Sequence, residues 1–328
     1  MSEEFRWGII GTGGIAKEFA RDLSYFNDHI VAAVGSRELS SAQAFAAEFP
    51  GCSSYASYAE LVADPMIDAV YVATPHNFHA AHTILALSAG KPVLCEKPFA
   101  INAVEARAMV EASIENHVAL MEAMWTRFLP HIVQVRSIIA SGILGEILSV
   151  HADHGQRLSD FANPRHWEPE LGGGALLDLG IYPVSFSHLI LGAPQSITAS
   201  AAFTDKGVDA QTSAIFTYAN GAHAVLNTTL LSQTPNRAVV AGTNGWLEID
   251  RTFYSPTDMR VVTHDGDVTE YPNTYKGHGL REEAAEFARI VRAGELESPL
   301  LTNAQTIAVM ESMDEIRRQI GLTYSGDK

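Results

Sequence analysis

The sequence is poor in cysteine, in positive charge and in long apolar runs. Its 328 residues include two cysteines, Cys52 and Cys95, which excludes a disulfide-stapled fold and predicts buried, reduced thiols. Lysine and arginine number 22 against 38 aspartates and glutamates, a formal net charge of −16. Because nucleic acids and anionic membranes attract basic surfaces, we expect neither as a partner. We find no N-terminal signal segment and no apolar span of transmembrane length, and therefore expect a cytoplasmic protein.

A glycine-rich turn follows the first predicted strand, in Gly8-Ile9-Ile10-Gly11-Thr12-Gly13-Gly14-Ile15-Ala16. In this G-x-G-x-x-A pattern Gly11 permits the tight turn and Gly13 lets the backbone approach a pyrophosphate. A helix beginning near Gly14 would present its free N–H groups and positive dipole end to the phosphates. A glycine turn without any nucleotide is the simpler alternative, but the order strand, turn, helix favours a dinucleotide. The predicted cofactor-binding residues here are Gly11, Thr12, Gly13, Gly14 and Ile15.

The end of the second predicted strand indicates which dinucleotide binds. An acidic residue there would bond the ribose 2′-hydroxyl of NAD, whereas arginine accommodates the 2′-phosphate of NADP. This strand ends in Gly35-Ser36-Arg37. Ser36 can donate to a phosphate oxygen, and Arg37 can stack on adenine and pair with the phosphate charge. An ordinary solvated arginine is the alternative, but the position favours NADP over NAD.

The length of the chain predicts two domains, because 328 residues are many for one core. Strands and helices alternate through residues 1–123, which predicts an N-terminal Rossmann domain with a doubly wound parallel sheet. Residues 124–328 contain short alternating segments and two late amphipathic helices. They predict an α+β domain, with a mostly antiparallel sheet flanked by helices, for substrate binding and oligomerisation.

Ligands in open parallel sheets bind beyond the carboxyl ends of the strands, so the chemistry is sought there. Four segments qualify. Lys97 directly follows a buried strand and is pinned by Pro98, although most lysines are simply solvated. In the last segment Asp178 and Tyr182 would share one helix face at i and i+4, but Pro183 disturbs an ideal helix there. The segments are Ala73–His79, Cys95–Pro98, Glu122–Phe128 and Gly172–Tyr182.

Together these motifs resemble the Gfo/Idh/MocA family of NAD(P)-dependent oxidoreductases over most of the chain. Glu96-Lys97-Pro98 is the most recognisable signature, and the resemblance implies that Lys97 is the catalytic-site lysine. Many members carry histidine four residues after the aspartate, where this chain has Tyr182. That departure is similar to the dihydrodiol dehydrogenase and D-xylose 1-dehydrogenase (NADP) branch, which implies a tyrosine acid/base. Further implied cofactor contacts are Thr74, Pro75, His76, His79, Glu96, Lys97, Trp125 and Arg127.

The predicted chemistry is coherent on the residues alone. Oxidising a carbinol requires a base for the hydroxyl proton while hydride leaves the carbon. A phenol is a poor base at neutral pH, but a neighbouring ammonium favours the phenolate. Lys97 would supply that ammonium to Tyr182, and Asp178 would hold either Lys97 or a sugar hydroxyl. The alternative for Tyr182 is a core tyrosine with a bonded hydroxyl.

Three histidines spaced by three residues, His76, His79 and His82, suggest a metal site. Their positions fan across about 120° of a helix, and no carboxylate or thiolate is suitably spaced, so we predict no metal. The family resemblance implies that His79 borders the nicotinamide or substrate, and we expect His82 to face solvent. The predicted substrate-contacting residues are Trp125, Phe128, Arg157, Phe161, His166 and Trp167, although aromatic residues after a strand often serve interdomain packing.

The sequence thus predicts an NADP-dependent oxidoreductase acting on the carbinol of a sugar, cyclic polyol or dihydrodiol. The reverse reaction, reduction of a keto-sugar such as an anhydrofructose, would use the same residues. A non-catalytic NADP-binding regulator is the third alternative. The predicted helices cover one face of the C-terminal sheet, and the other face would form a homo-oligomer, most simply a two-fold dimer.

Overall fold

The computed structural model describes residues 4–158 and 164–327. Its chain forms two compact units, and each contains two separate stretches of sequence. Residues 124–328 are predicted to form one C-terminal domain, but residues 277–307 group with the N-terminal unit in the structure. The first unit comprises Met1–Trp125 and Gly277–Ile307, and the second comprises Thr126–Lys276 and Ala308–Lys328.

A buried carboxylate explains why the late segment belongs to the first unit. Asp22 is the last residue of helix α1 (Gly14–Asp22) and accepts three backbone N–H groups at the start of helix α8 (Leu280–Ala293), each at 2.9 Å. The Arg281 guanidinium adds an ion pair at 3.3 Å. A carboxylate at a helix N-terminus satisfies unpaired N–H groups and the positive dipole end. No local sequence pattern links residues this far apart.

The first unit contains a six-stranded parallel sheet in the order β3-β2-β1-β4-β5-β6, which confirms the predicted doubly wound sheet. The order reverses between β1 and β4, so the switch point lies directly beyond Gly11. A cluster of buried rings, Trp7, Phe19, Tyr71 and Phe287, packs one face of this sheet. The strands are β1 (Phe5–Ile10), β2 (His29–Gly35), β3 (Ser53–Tyr55), β4 (Ala69–Val72), β5 (Val93–Glu96) and β6 (Leu120–Ala123), and the further helices are α2 (Leu39–Ala46), α3 (Tyr58–Val62), α4 (His79–Ser88) and α5 (Ala103–Asn116).

The second unit contains an eight-stranded sheet in the order β14-β13-β12-β11-β7-β10-β9-β8. Strands β7 and β10 pair in parallel and the other neighbours are antiparallel, which confirms the mostly antiparallel sheet. The edge strand β14 was not predicted, since its short, exposed Val-Thr-Glu-Tyr sequence carries little apolar signal. The elements are α6 (Pro130–Ala140), β7 (Ile147–Gly155), α7 (Ile181–Leu191), β8 (Ser196–Phe203), β9 (Asp209–Thr217), β10 (His223–Thr229), β11 (Ala238–Gly242), β12 (Gly245–Ile249), β13 (Met259–Thr263), β14 (Val268–Tyr271) and α9 (Asn303–Ile320).

One segment corrects the expectation that the chain lacks a long apolar span. Pro169–Leu191 is long and apolar enough to cross a membrane by length and composition, and 83% of its most apolar window is buried inside the structure. Its C-terminal part is α7, which packs on strands β7 and β10. A helix that is apolar all round is typical of a buried core position as well as of a membrane. Here the surrounding protein accounts for the composition.

Candidate active site

The glycine turn after β1 has the geometry that its sequence predicts. Gly11 has a φ of +109°, and a Cβ there would lie 2.7 Å from the carbonyl oxygen of Ala73, so both conformation and space require glycine. Helix α1 begins at Gly14. Apart from the neighbouring residues in the chain and the backbone of the helix itself, no heavy atom of the described residues lies within 4 Å of a Cβ built on Gly13 or Gly14. An exposed, uncapped helix N-terminus with this clearance fits a diphosphate.

Beyond β2 lies a patch of aromatic and basic side chains. The Arg37 guanidinium lies 6.0 Å from the centroid of the Phe78 ring, and the rings of Tyr58 and His82 meet at 4.5 Å. Ser36 is almost fully buried at 9% exposure, and its N–H donates to the carbonyl of Tyr55. Flat rings beside an arginine suit an adenine and a phosphate group.

The environment of His82 corrects the expectation that it faces solvent. His82 Nδ1 lies 3.0 Å from Thr74 Oγ1, and its ring also stacks near Phe78. Burial lowers the pKa of His82, and the nearby Arg37 charge lowers it further. A neutral imidazole is therefore part of the patch beyond β2.

His79 joins two of the loops that follow strands. Its Nδ1 lies 2.8 Å from the carbonyl oxygen of Pro98, and its Nε2 lies 2.8 Å from that of Thr74. Carbonyl oxygens only accept, so His79 donates to one of these two oxygens or to both, depending on which ring nitrogens carry a hydrogen. The ring is fully buried, and His76, at 2% exposure, packs against it edge-on. His79 thus connects the loop that contains Thr74 to the loop that contains Lys97 and Pro98.

Lys97 follows a buried carboxylate at the end of β5. Glu96 accepts a hydrogen bond from the Tyr71 hydroxyl, and its other oxygen accepts the backbone N–H of Lys97 at 3.1 Å. Lys97 itself is half-buried. Two hydrogen bonds thus fix the backbone around Lys97. One joins its N–H to the Glu96 carboxylate, and the other joins His79 Nδ1 to the carbonyl oxygen of Pro98.

A second buried carboxyl group lies near Glu96. Glu283 of α8 is completely buried, and burial raises its pKa well above the ordinary range, with the charges of Glu96 and Glu122 adding to the effect. Glu122 accepts a hydrogen bond from Thr306 Oγ1 at 3.0 Å. A protonated Glu283 avoids repulsion between buried carboxylate charges.

Trp125 closes the first unit. It is 5% exposed, and its ring lies 4.9 Å from the ring of His278. Two roles are expected of it from the sequence, one toward cofactor and one toward substrate. Both roles of Trp125 remain predictions. Its contact with the His278 ring could not be predicted, because no local sequence pattern links the two residues.

In the second unit the glycine-rich segment leads into an irregular helix. A Cβ on Gly173 would lie 2.9 Å from backbone atoms of Arg165 and His166, so glycine is required for close approach. Residues Leu176–Gly180 then form a π-helical turn, which continues directly into α7. Such turns widen the helix locally and often occur at functional sites. Asp178 and Tyr182 are therefore not related by the ideal i, i+4 geometry.

Tyr182 lies against a ring cluster. The phenol is 7% exposed, and its ring centroid lies 5.1 Å from that of His154 and 4.8 Å from that of Tyr254. His154 and Tyr254 stack on each other at 3.9 Å. The side-chain amide of Gln156 bonds to His154 Nε2 at 2.9 Å and to the Tyr254 hydroxyl at 3.2 Å. Such packing limits Tyr182 to few rotamers.

Asp178 has basic partners within its own unit. Its carboxylate lies 3.2 Å from Arg165 Nη2 and 3.3 Å from His166 Nε2, and its side chain is 8% exposed. The sequence predicted Lys97 or a sugar hydroxyl as the partner of Asp178. The structure adds two side chains from the preceding loop: Arg165 donates a charge-assisted bond to the carboxylate, and His166 lies beside it.

The other predicted site residues of the second unit differ in environment. Arg127 is 2% exposed and donates from Nε and Nη2 to Ser185 of α7, at 3.0 and 2.8 Å. Phe128 is buried, whereas Arg157 is exposed. Trp167 packs on a core cluster that includes Leu158 and Leu179. Phe161 lies outside the described residues.

Sequence reasoning missed His154, Gln156 and Tyr254. Strand β7 alternates inward and outward, and Val150, Ala152 and His154 share its buried face. A histidine at an inward-facing position near a strand end was the available signal. Tyr254 comes from the loop after β12 and carries no such pattern. Among residues 4–158 and 164–327, no three His, Cys, Asp or Glu side chains are placed to hold a metal ion.

Comparison with known proteins places this geometry in a family. Residues 5–124 match the oxidoreductase family with an NAD-binding Rossmann fold, and residues 132–248 match the GFO/IDH/MocA C-terminal domain. The trans-1,2-dihydrobenzene-1,2-diol dehydrogenase of Mus musculus is 37% identical, over 98% of this chain and 99% of the mouse protein. Its counterpart in Danio rerio is also 37% identical, over 98% of each chain.

Solved structures agree on the fold. KijD10, a 3-ketoreductase from Actinomadura kijaniata in complex with NADP and TDP-benzene, has a TM-score of 0.87 and 27% identity, covering 97% of this chain and 98% of that one. An aldose-aldose oxidoreductase from Caulobacter crescentus has a TM-score of 0.86 at 23% identity, covering 97% of each chain. On two domain matches and near-complete alignment with dehydrogenases, the chain belongs to the Gfo/Idh/MocA family of NAD(P)-binding oxidoreductases.

Proposed function

We propose that this enzyme is an NADP-dependent dehydrogenase of a sugar, cyclic polyol or trans-dihydrodiol carbinol, with Tyr182 as the acid/base and Lys97 as its assistant. The observation that carries the proposal is the buried Tyr182 phenol, one turn after Asp178 and held by His154 and Tyr254. A phenol held in this way is ready to exchange a proton at one position.

The residues of the first unit fit an NADP molecule. Gly13 and Gly14, at the start of α1, would hold the diphosphate on free N–H groups. Ser36 and Arg37 would hold the 2′-phosphate, and Phe78 would lie against the adenine. Bound NADP supplies the chemistry of hydride acceptance in oxidation and donation in reduction.

The protein's own residues manage the proton. In oxidation Tyr182, as phenolate, takes the proton of the carbinol hydroxyl while the carbon–hydrogen bond breaks and its electron pair leaves as hydride. In reduction Tyr182 returns the proton to the new alkoxide. Lys97 would favour the phenolate and donate to the reacting oxygen. His79 is less suited than Tyr182 to this role, because both of its ring nitrogens face backbone carbonyl oxygens.

Asp178 would orient the substrate. Arg165 and His166 hold its carboxylate in place, so it can accept a bond from a substrate hydroxyl at a fixed position. The substrates named for the mouse dehydrogenase and for the Caulobacter oxidoreductase carry adjacent hydroxyl groups. Such substrates share a pair of adjacent hydroxyl groups. Asp178 would bind one hydroxyl, and Tyr182 would deprotonate the other.

Reduction of a keto-sugar is a second candidate function. The similarity to a 3-ketoreductase with bound NADP, at a TM-score of 0.87, favours it. The same residues serve both directions, with Tyr182 as acid. A non-catalytic NADP-binding regulator requires the absence of turnover, and measurable oxidation of any diol or aldose would exclude it.

Tyr182→Phe tests the proposed chemistry because it removes the ionisable oxygen and keeps the ring. We expect the rate of hydride transfer to fall by roughly 10²–10⁴, as for a lost acid/base group, with NADP binding nearly unchanged. Lys97→Met should lose a similar factor, and the double variant should lose far less than the product of the two losses, since each residue acts through the other. The measurement is single-turnover absorbance of reduced nicotinamide with saturating cofactor.

Tyr218→Phe is the matched control, since Tyr218 is a buried tyrosine of the same unit. It should transfer hydride at the native rate. If Tyr182→Phe does so as well, Tyr182 is a packing residue and the acid/base assignment is wrong.

We further infer a cytoplasmic homodimer with a small-molecule substrate. The outer face of the second unit's sheet carries neighbouring branched residues, with Ile215 45% and Val225 40% exposed. They pair across β9 and β10, so they form a contiguous apolar strip suited to a two-fold contact. Both cysteines are free thiols, which suits a reducing compartment.

A further inference from the structure

The turn that carries Asp178 and Tyr182 contains a defect in its hydrogen bonding. In an α-helix the carbonyl of Leu179 would accept the N–H of residue 183. That residue is Pro183, which has no N–H and lies inside α7. The N–H of Ile181 also turns toward this oxygen, but a carbonyl has two lone pairs. The helix therefore cannot supply the usual i+4 N–H to the second lone pair of the Leu179 carbonyl.

His154 supplies a donor from outside the helix. Its Nδ1 lies 3.1 Å from the carbonyl oxygen of Leu179. Since that oxygen can only accept, Nδ1 carries the hydrogen. The opposite nitrogen, Nε2, faces the amide of Gln156 at 2.9 Å and therefore accepts. His154 is thus neutral with its hydrogen on Nδ1, and Gln156 selects this tautomer.

The same histidine also touches the acid/base residue. His154 is 1% exposed, and its ring packs edge-on against Tyr182 and flat against Tyr254. Tyr254 is fixed in turn, because its carbonyl accepts from Thr126 Oγ1 at 2.8 Å and its hydroxyl from Gln156. His154 therefore contacts the turn on one side and the phenol on the other.

We propose that His154 is a positioning residue for Tyr182, which it places by donating to the Leu179 carbonyl, whose i+4 position in the helix is occupied by Pro183 and so lacks an N–H. The proposal rests on the proposed function, in which Tyr182 is the acid/base. Without the hydrogen bond from His154, we expect the π-helical turn to rearrange its backbone hydrogen bonds. The Tyr182 phenol, which follows the turn, would then be displaced. Small displacements of a catalytic group cost large factors in rate.

A double-mutant cycle between His154 and Pro183 tests this coupling. His154→Phe keeps a ring and removes the donor, and we expect hydride transfer to fall about 10- to 100-fold with the KM for NADP within about twofold of native. Pro183→Ala restores a backbone N–H to the helix. In that background His154→Phe should cost less than about threefold, because the helix then satisfies the Leu179 carbonyl itself. The substrate is trans-1,2-dihydrobenzene-1,2-diol with NADP, in single turnover.

His154→Asn is the conservative rescue, because an amide nitrogen can take the place of Nδ1. It should retain the rate to within about fivefold of native. His151→Phe is the matched control: this histidine lies on the same strand but on the exposed face, bonded to Ser149, and should have the native rate. The thermal midpoint of unfolding is measured for each variant as well. It shows whether His154 and Pro183 are coupled in stability in the same way as in rate.

Two results would overturn the inference. One is an equal loss for His154→Phe in the native background and in the Pro183→Ala background, which would mean that the histidine does not act through the Leu179 carbonyl. The other is a native rate in His154→Phe. Failure of the proposed function looks different, because Tyr182→Phe would then transfer hydride at the native rate whatever the cycle shows.

Discussion

Arg37 is the side chain on which the proposed cofactor preference depends. It lies beside Phe78, and its charge acts on both Tyr58 and His82. Native protein should bind NADP about 10- to 100-fold more tightly than NAD, as expected of a charge-assisted contact of about 1.5–3 kcal/mol. Arg37→Ala should reduce that ratio to near one. Dissociation constants for both cofactors, by fluorescence titration, measure it.

Arg21→Ala provides the comparison, since Arg21 is an exposed arginine of the same unit that pairs with Glu18 and Glu48. Its removal should leave the ratio unchanged. Equal affinities for NADP and NAD in the native protein would contradict the assignment of Ser36 and Arg37 to the 2′-phosphate.

Positions after strands could be predicted from the sequence because local order determines them. Gly11 and Lys97 each follow a strand of a parallel sheet, and the structure places both there. His154 and Tyr254 could not be predicted as neighbours of Tyr182, since three distant stretches of chain meet in that cluster. The solvent-facing role predicted for His82 was wrong because aromatic neighbours, rather than helix periodicity, decide its burial.

At the scale of elements, the helix that carries Asp178 and Tyr182 begins on a buried carboxylate. Asp209 of β9 accepts the backbone N–H of Leu176 at 2.8 Å and the hydroxyl of Thr212 at 2.6 Å. Burial raises the pKa of Asp209 to about 7, although those bonds favour the charged form. The carboxyl group thus caps this helix while sitting close to its own ionisation point at neutral pH.

Asp209 should make stability depend on pH in a definite direction. Between about pH 4 and pH 7 the folded protein holds a proton that the unfolded chain has released, so the free energy of unfolding decreases as pH rises, by up to about 1.4 kcal/mol per pH unit. This contribution is complete below about pH 4 and lost above about pH 7. Asp209→Asn should remove it, and urea unfolding at several pH values measures the slope.

The quantity to compare is the difference in the free energy of unfolding between native protein and Asp209→Asn at each pH, because other groups titrate in both proteins. Asp205→Asn, an exposed aspartate just before β9, should follow the native pH profile. If Asp209→Asn also runs parallel to native protein between pH 4 and 7, Asp209 is ionised throughout and burial does not control it.

Elements with a clear period could be predicted, and irregular ones could not. The alternating strands and helices of residues 1–123 and the two late amphipathic helices, α8 and α9, are present in the structure. Pro183 indicated a disturbed helix, but the π-helical turn before it depends on a donor from β7, His154, and on an acceptor from β9, Asp209. Strand β14 pairs only at a sheet edge and has few apolar residues to reveal it.

At the scale of the whole molecule, the open sheet face predicts self-association. Native protein should have a mass near twice 35.4 kDa by light scattering at micromolar concentration. Ile215→Asp places a charge in the apolar strip with Val225 and should shift the mass toward one chain. Val104→Asp, on an exposed residue of α5, should not. A native protein that stays monomeric across the dilution series would refute the dimer.

The late segment 277–307 has a consequence for synthesis on the ribosome. Domains generally fold as they emerge, N-terminal first, but the first unit of this chain lacks α8 until its last quarter has been translated. Until then Asp22 has no helix to cap, and Trp7 has no Phe287 beside it. The second unit likewise waits for residues 308–328. A nascent chain stalled at residue 276 therefore holds two incomplete cores, which close only after residues 277–328 have also been synthesised.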